Sequence, residues 1–257
     1  MTVPKFPIAF QPYTIQKQLV EDYAGSLERV AAIGYQGIEI GMPPEGMKIA
    51  EQKALLDRLG LQVINTWGGF NSFDIDTEQI ADYLDEVGGR YITVSMLFDG
   101  TLEDVLNKSR QMNRIGEAFH RRGKQFLYHN HDWEFKRIDG ETILDILLRE
   151  TDPELVKMEM DTYWIKRGGE DPAVYLSKLQ NRCPLLHIKD MEAGEEQFFA
   201  EIGEGILDFT KISRVAEAIG TQWLVVEQDQ SRRDPFESLA ISYRNLHHLG
   251  LIIDNDK

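Results

Sequence analysis

Short runs of apolar, β-branched or aromatic residues recur along the chain, at positions 7–13, 37–40, 62–66, 91–96, 125–131, 156–163, 185–190 and 223–228. Each reads as a strand, and between them lie polar loops and segments whose apolar residues return every three to four positions, as on a helix with one buried face. In Thr77–Val87, which opens on Thr77, the residues Ile80, Tyr83, Leu84 and Val87 share such a face. Helix starts are marked by Thr101 with Asp104 three residues on, close to a capping box, and by Asp171 ahead of Pro172. Asp208 starts a further helix that stops at Gly220, and residues 235–249 supply the last one. Gly34, Gly60 and Gly123 each stand just before a strand, where the turn favours positive φ.

Strands alternating with helices imply a parallel sheet covered by helices. Eight repeats in 257 residues favour closure into a single (β/α)8 barrel spanning residues 1–257. No low-complexity tract or Pro/Ser-rich linker suggests a boundary. The first strand–helix turn reads FQPYTIQKQ and lacks the glycines of a dinucleotide-binding open sheet.

Composition narrows the function. The chain carries 28 Lys and Arg against 43 Asp and Glu, a formal net charge of −15, which opposes binding to nucleic acid. No run approaches the roughly 20 apolar residues of a membrane helix, so no membrane partner is expected. The start of the chain shows no charged-then-apolar leader, and a single cysteine, Cys183, excludes an internal disulfide framework. A cytoplasmic setting follows as the expectation.

In a barrel, chemistry collects at the C-terminal ends of the strands. The fifth run ends YHNHDWEF, where strand period two puts His129 and His131 on one face and Glu134 just beyond. The sixth carries Glu159 and Asp161 at one parity, an acidic pair that needs cations or donors when buried. The seventh carries His187 and Lys189, and the eighth Glu227. Asp161, His187 and Glu227 thus become neighbours, and such a mixed oxygen and imidazole set suits one divalent ion, Mn2+, Mg2+, Co2+ or Zn2+. Asn65, Trp67, Trp133 and Trp164, with Gln11, Tyr13, Phe70 and Met96, read as the wall of a small-ligand site.

The segments YHNHDWEF, MDTYWIKRGGEDP, LLHIKD, EIGEGILDF and VVEQD, with GIEI around Glu39, resemble the sugar phosphate isomerase/epimerase superfamily of xylose isomerase-like TIM barrels. The resemblance runs over essentially the whole chain. It implies four metal ligands, one from each of strands five to eight, and a small-molecule carbohydrate substrate. Asp161, His187 and Glu227 carry over directly. The fifth-strand glutamate of the epimerases corresponds to His129 here, so Glu134 is taken as the fourth ligand with His129 as the register alternative. A homodimer is expected by analogy alone.

The activity expected is isomerisation or epimerisation of a sugar or sugar derivative through an enediolate. His131 and Glu227 are the candidates for proton transfer, with Lys189 on the developing oxyanion and His129 as a further catalytic candidate. The alternative is a metal-dependent lyase or dehydratase acting on a keto-sugar or keto-inositol, because the missing shuttle glutamate weakens the epimerase reading. A non-catalytic sugar-binding barrel is the third. The Gly203-Glu204-Gly205 stretch is a poor phosphate site for its acidic residue, so an unphosphorylated substrate is expected.

Overall fold

The computed structural model describes residues 3–253. Among them, eight parallel strands close into a barrel: β1 (Ile8–Phe10), β2 (Gly37–Glu39), β3 (Gln62–Phe70), β4 (Tyr91–Ser95), β5 (Gln125–His129), β6 (Val156–Asp161), β7 (Leu185–Ile188) and β8 (Trp223–Val226). Each strand pairs with its sequence neighbours, and β1 closes the ring on β8 with Ile8 opposite Leu224. Helices on the outside pack against it through the main apolar core.

The helix starts follow local capping chemistry. Thr101, Asp171 and Asp208 each accept a backbone N–H in the first turn of the helix that follows. Thr77 is not the cap of Thr77–Val87. Asp76 takes that place and accepts the Gln79 N–H, because a carboxylate at that position reaches the orphan amide. Nor is a reciprocal box formed at Thr101, since Asp104 accepts from the Asp99 N–H instead. Gly34, Gly60 and Gly123 all adopt positive φ at the turns into β2, β3 and β5.

The strands are mostly shorter than the apolar runs, and β3 is longer, reaching Phe70. β5 stops at His129. Asn130 turns aside and its Oδ1 accepts the Asp161 backbone N–H at 3.0 Å, so strand periodicity no longer governs His131. Likewise Thr162–Arg167 is helical, with Asp161 as its cap. After β7 a small ribbon pairs Asp190–Met191 with Phe199–Ala200. The Asp190 carboxylate fixes the rest of that loop by accepting the N–H groups of Met191, Gly203, Gly205 and Leu207 at 2.8–3.1 Å.

No helix among the described residues is long and apolar enough to cross a membrane.

Candidate metal centre and active-site cavity

Alternation along the strands sorts the barrel interior into two levels. Ala9, Ile64, Tyr91, Leu127, Leu185 and Val225 form an apolar plug. Two residues beyond Ala9, Tyr91, Leu127, Leu185 and Val225 come Gln11, Thr93, His129, His187 and Glu227. Glu39, Asn65, Glu159 and Asp161 join them, and every member of this polar level is buried. Such a level is costly in a dry interior unless its members satisfy one another or hold a ligand.

His187 stands at its centre. Its Nδ1 lies 3.0 Å from Glu227 Oε2, and its Nε2 lies 3.1 Å from Glu39 Oε2 and 3.5 Å from Glu159 Oε2. Burial alone would lower its pKa, but the Glu39 and Glu159 charges raise it well above the usual imidazole value. His129 approaches Glu159 Oε2 through Nδ1 at 3.6 Å and Asp161 Oδ2 through Nε2 at 3.9 Å. Burial, then the neighbouring His187, holds His129 neutral.

Lys189 bridges the acidic rim. Its Nζ is 3.1 Å from Asp161 Oδ2 and 2.5 Å from both Glu227 Oε2 and Asp229 Oδ1. Burial opposes its charge, yet Asp161, Asp229 and Glu227 together keep its pKa well above that of an ordinary lysine. Glu227 is also buried, but Lys189 and His187 bring its pKa down to about 2. Burial raises Asp229 to about 6 against the pull of Lys189.

These residues fit a divalent cation. Ligand atoms of His129, Asp161 and His187 lie within 4.8 Å of one another. Asp161 Oδ2 and His129 Nδ1 are buried and accept no aligned hydrogen bond. Carboxylates with imidazole are the donor set of Zn2+ and Mn2+ sites.

Above this level opens a cavity of about 640 Å³, lined by Trp67, Phe70, Trp133, His129, His131, Glu39, Glu227 and Asp229 among others. Lys189 is its only cationic lining residue among those described, and it is already paired three times. His131 stacks on Trp133 with centroids 4.1 Å apart, and its Nδ1 meets Ser95 Oγ at 3.1 Å. Burial, then the Lys189 charge, lowers His131 to about 3.

The structure therefore brings Asp161, His187, Glu227, His129 and Lys189 together, with His131, Trp67 and Trp133 at the cavity. It does not bring Glu134 to them. That carboxylate accepts from the Tyr128 hydroxyl and, at 2.9 Å, from the His131 N–H, which uses both oxygens away from the ligand group. Burial raises Glu134 to about 8. Asn65 lies below the cavity, donating to Thr93 Oγ1 at 2.9 Å and Glu159 Oε1 at 3.0 Å. Trp164 stands behind His131 and lines a neighbouring surface recess rather than the cavity. Asp229 and Ser95 were not singled out by sequence; Asp229 was legible only as the third polar residue closing VVEQD.

The model of the xylose isomerase-like TIM barrel family matches residues 27–246, and the chain belongs to that family. An inosose dehydratase of Geobacillus thermodenitrificans is 28% identical, over 82% of this chain and 84% of the relative. A solved sugar phosphate isomerase/epimerase from Parabacteroides distasonis superposes with a TM-score of 0.80 at 25% identity, covering 96% of this chain and 94% of that one. The IolI protein, solved with a zinc atom bound, shares the fold at 13% identity and a TM-score of 0.73, covering 95% and 98% of the two chains.

Proposed function

We propose that this chain is a divalent-metal-dependent lyase that removes water from a neutral, cyclic keto-polyol. Asp161, His187 and Glu227 would hold the ion, with His129 as the fourth ligand in place of the family's glutamate. When bound, the ion supplies Lewis-acid polarisation of the substrate carbonyl.

The observation that carries the reading is the unlike pair of proton-transfer groups at the cavity. Both face it: the His131 imidazole, held at Nδ1 by Ser95 Oγ 3.1 Å away, and the Asp229 carboxyl, whose pKa burial draws upward against the pull of Lys189. Elimination needs one base and one acid, while epimerisation by proton exchange between two faces is served by two matched groups. With Nδ1–H donated to Ser95, His131 keeps a lone pair on Nε2 to take the proton from the carbon beside the carbonyl. The electron pair left behind moves to the oxygen, which Lys189 steadies. Return of that pair expels the β-hydroxyl, which leaves as water with the proton of Asp229.

A neutral substrate is supported by the cavity's charge and by the loop after β7. The Gly203, Gly205 and Leu207 N–H groups that could cradle a phosphate are spent on Asp190. Trp67, Phe70 and Trp133 offer apolar ring faces against which a sugar or inositol ring can stack.

Isomerisation or epimerisation is the second reading, favoured by the likeness to the Parabacteroides distasonis protein. Incubation with keto-inositols and ketoses in D2O, with added Mn2+ or Zn2+, separates the two. Loss of water with a new enone absorbance supports the lyase. Deuterium incorporation with no loss of water supports the isomerase, and neither outcome with metal-loaded protein overturns both.

A further inference from the structure

Below the group that would hold the catalytic ion lies a second cluster of donors. Glu39, Glu159 and His187 present ligand atoms within 4.8 Å of one another, all buried. Glu39 comes from β2, on the far side of the barrel from β7, so closure of the barrel alone brings it here. Inside the cluster His187 Nε2 already meets Glu39 Oε2, yet two carboxylate oxygens are left without an aligned donor. Glu159 Oε2, on a fully buried residue, and Glu39 Oε1 have no hydrogen-bond partner. The donors that do reach these carboxylates take the other oxygens: Gln11 Nε2 and Trp67 Nε1 bond Glu39 Oε2 at 3.2 and 3.3 Å, and Asn65 Nδ2 bonds Glu159 Oε1.

His187 is oriented for this cluster. With its Nδ1–H donated to Glu227 Oε2 at 3.0 Å, it aims Nε2 between Glu39 and Glu159, and release of the Nε2 proton to solvent on metal binding would turn a lone pair there. A carboxylate behind an imidazole is the usual support for a metal-ligating histidine. Nε2 lies 3.1 Å from Glu39 Oε2 and 3.5 Å from Glu159 Oε2. Ligand atoms each about 2.1 Å from one ion stand about 3.0–3.4 Å apart in octahedral or tetrahedral arrangement. His129 Nδ1, 3.6 Å from Glu159 Oε2, faces the same cluster from β5.

We propose that the barrel interior holds a second divalent-cation position, of the Zn2+ or Mn2+ class, on the Nε2 side of His187 between Glu39 and Glu159. It lies next to the position walled by Asp161 and Glu227; when both are filled, His187 gives Nε2 to the lower ion and His129 gives Nε2 to the upper one, so no nitrogen serves two ions. This goes beyond the proposed function, which requires only the upper ion.

The test is metal stoichiometry of the full chain, stripped with chelator and titrated with Zn2+ and with Mn2+. Two equivalents are expected for the wild type, falling to one in both E159Q and E39Q, with the remaining equivalent lost in D161N. Doubly loaded Mn2+ protein should give the exchange-coupled paramagnetic resonance of two nearby ions, and E159Q the signal of an isolated one. Thermal unfolding confirms that each variant folds, and Glu39 provides the second variant should the Glu159 change disrupt the interior. One equivalent in the wild type, unchanged in E39Q and E159Q but lost in D161N, overturns the second position and leaves the proposed function standing. One equivalent lost in E39Q and E159Q but kept in D161N supports the lower position and overturns the upper one. No uptake overturns both.

Discussion

Lys189 Nζ stands 2.5 Å from Glu227 Oε2, the closest approach between an ammonium and a carboxylate of the proposed ligand set. Asp161 and Asp229 face the same Nζ, so in the absence of metal the buried Asp161 and Glu227 and the half-buried Asp229 share this ammonium. Lys189→Met removes it while keeping the side-chain length. The metal-free variant should lose about 3–5 kcal/mol of stability, the usual cost of stranding a buried charge. Saturating Zn2+ or Mn2+ should restore much of the loss, so the metal-induced rise in melting temperature is larger in the variant than in the wild type. Denaturation followed with and without metal checks this, and equal shifts in both proteins would contradict it.

The strand-five ligand separates by mutation. Glu134 is committed to Tyr128 and the His131 backbone, whereas His129 faces Asp161 and Glu159. His129→Ala should weaken metal binding by 10-fold or more, on the order of 1.4 kcal/mol or above. Glu134→Gln should leave metal content within error of the wild type. Loss of metal in Glu134→Gln with retention in His129→Ala would reverse the assignment.

Glu134 also predicts a pH dependence of stability. Its pKa is raised by burial from 4.5 to about 8. The folded state therefore keeps a proton that the unfolded chain releases, and this contribution is fully present below pH 4.5. It declines as pH rises towards 8, at up to ~1.4 kcal/mol per unit. Glu134→Gln, neutral at every pH, should lack that decline. Urea unfolding of both proteins at pH 6 and pH 8 reads the difference, which should grow in favour of the variant at the higher pH.

Much of the fold was legible because each barrel strand repeats the same apolar run, turn and capped helix, and the capping residues act locally. The polar level was legible at Asp161, His187 and Glu227 because acidic residues and histidine interrupt apolar strands there. Glu134 was chosen on the resemblance, which wants a glutamate from strand five; its turn back onto Tyr128 and the His131 N–H follows from Asn130 leaving the strand to bond the Asp161 N–H, which strand periodicity does not foresee. The clustering of Glu39 with Glu159 could not be read from either segment. It arises from closure of the ring, which sets β2 opposite β6 and β7 across the interior.

The substrate's charge is the next test. Every charged group facing the cavity other than Lys189 is acidic among the described residues, and Lys189 is paired to three carboxylates. A phosphorylated sugar would bring its dianion to this rim, where the one lining lysine among the described residues is already shared by three carboxylates. Inorganic phosphate and ketose phosphates at millimolar concentration should therefore not protect the metal-loaded protein against thermal unfolding, whereas a neutral keto-inositol or ketose should. Protection by phosphates alone would refute the neutral-substrate reading.

The loop after β7 owes its shape to Asp190, and Gly205 is where that arrangement is tightest. A Cβ at Gly205 would overlap Asp190 Oδ1 and the Met191 carbonyl oxygen, both fixed by the ribbon. Gly205→Ala must push the loop outward, breaking the Gly205 N–H bond to Asp190 and loosening those of Gly203 and Leu207. Lys189, the residue before Asp190, is then less firmly held, whereas the proposed ligands Asp161 and His187 lie on β6 and β7 and Glu227 directly follows β8, away from this loop. The expected result is a kcat lowered by about 10-fold with metal content preserved and faster proteolysis within 191–207, consistent with ~1.4 kcal/mol of lost transition-state stabilisation. Metal titration, limited proteolysis and steady-state kinetics on one preparation distinguish this from loss of the site, which would remove metal and activity together.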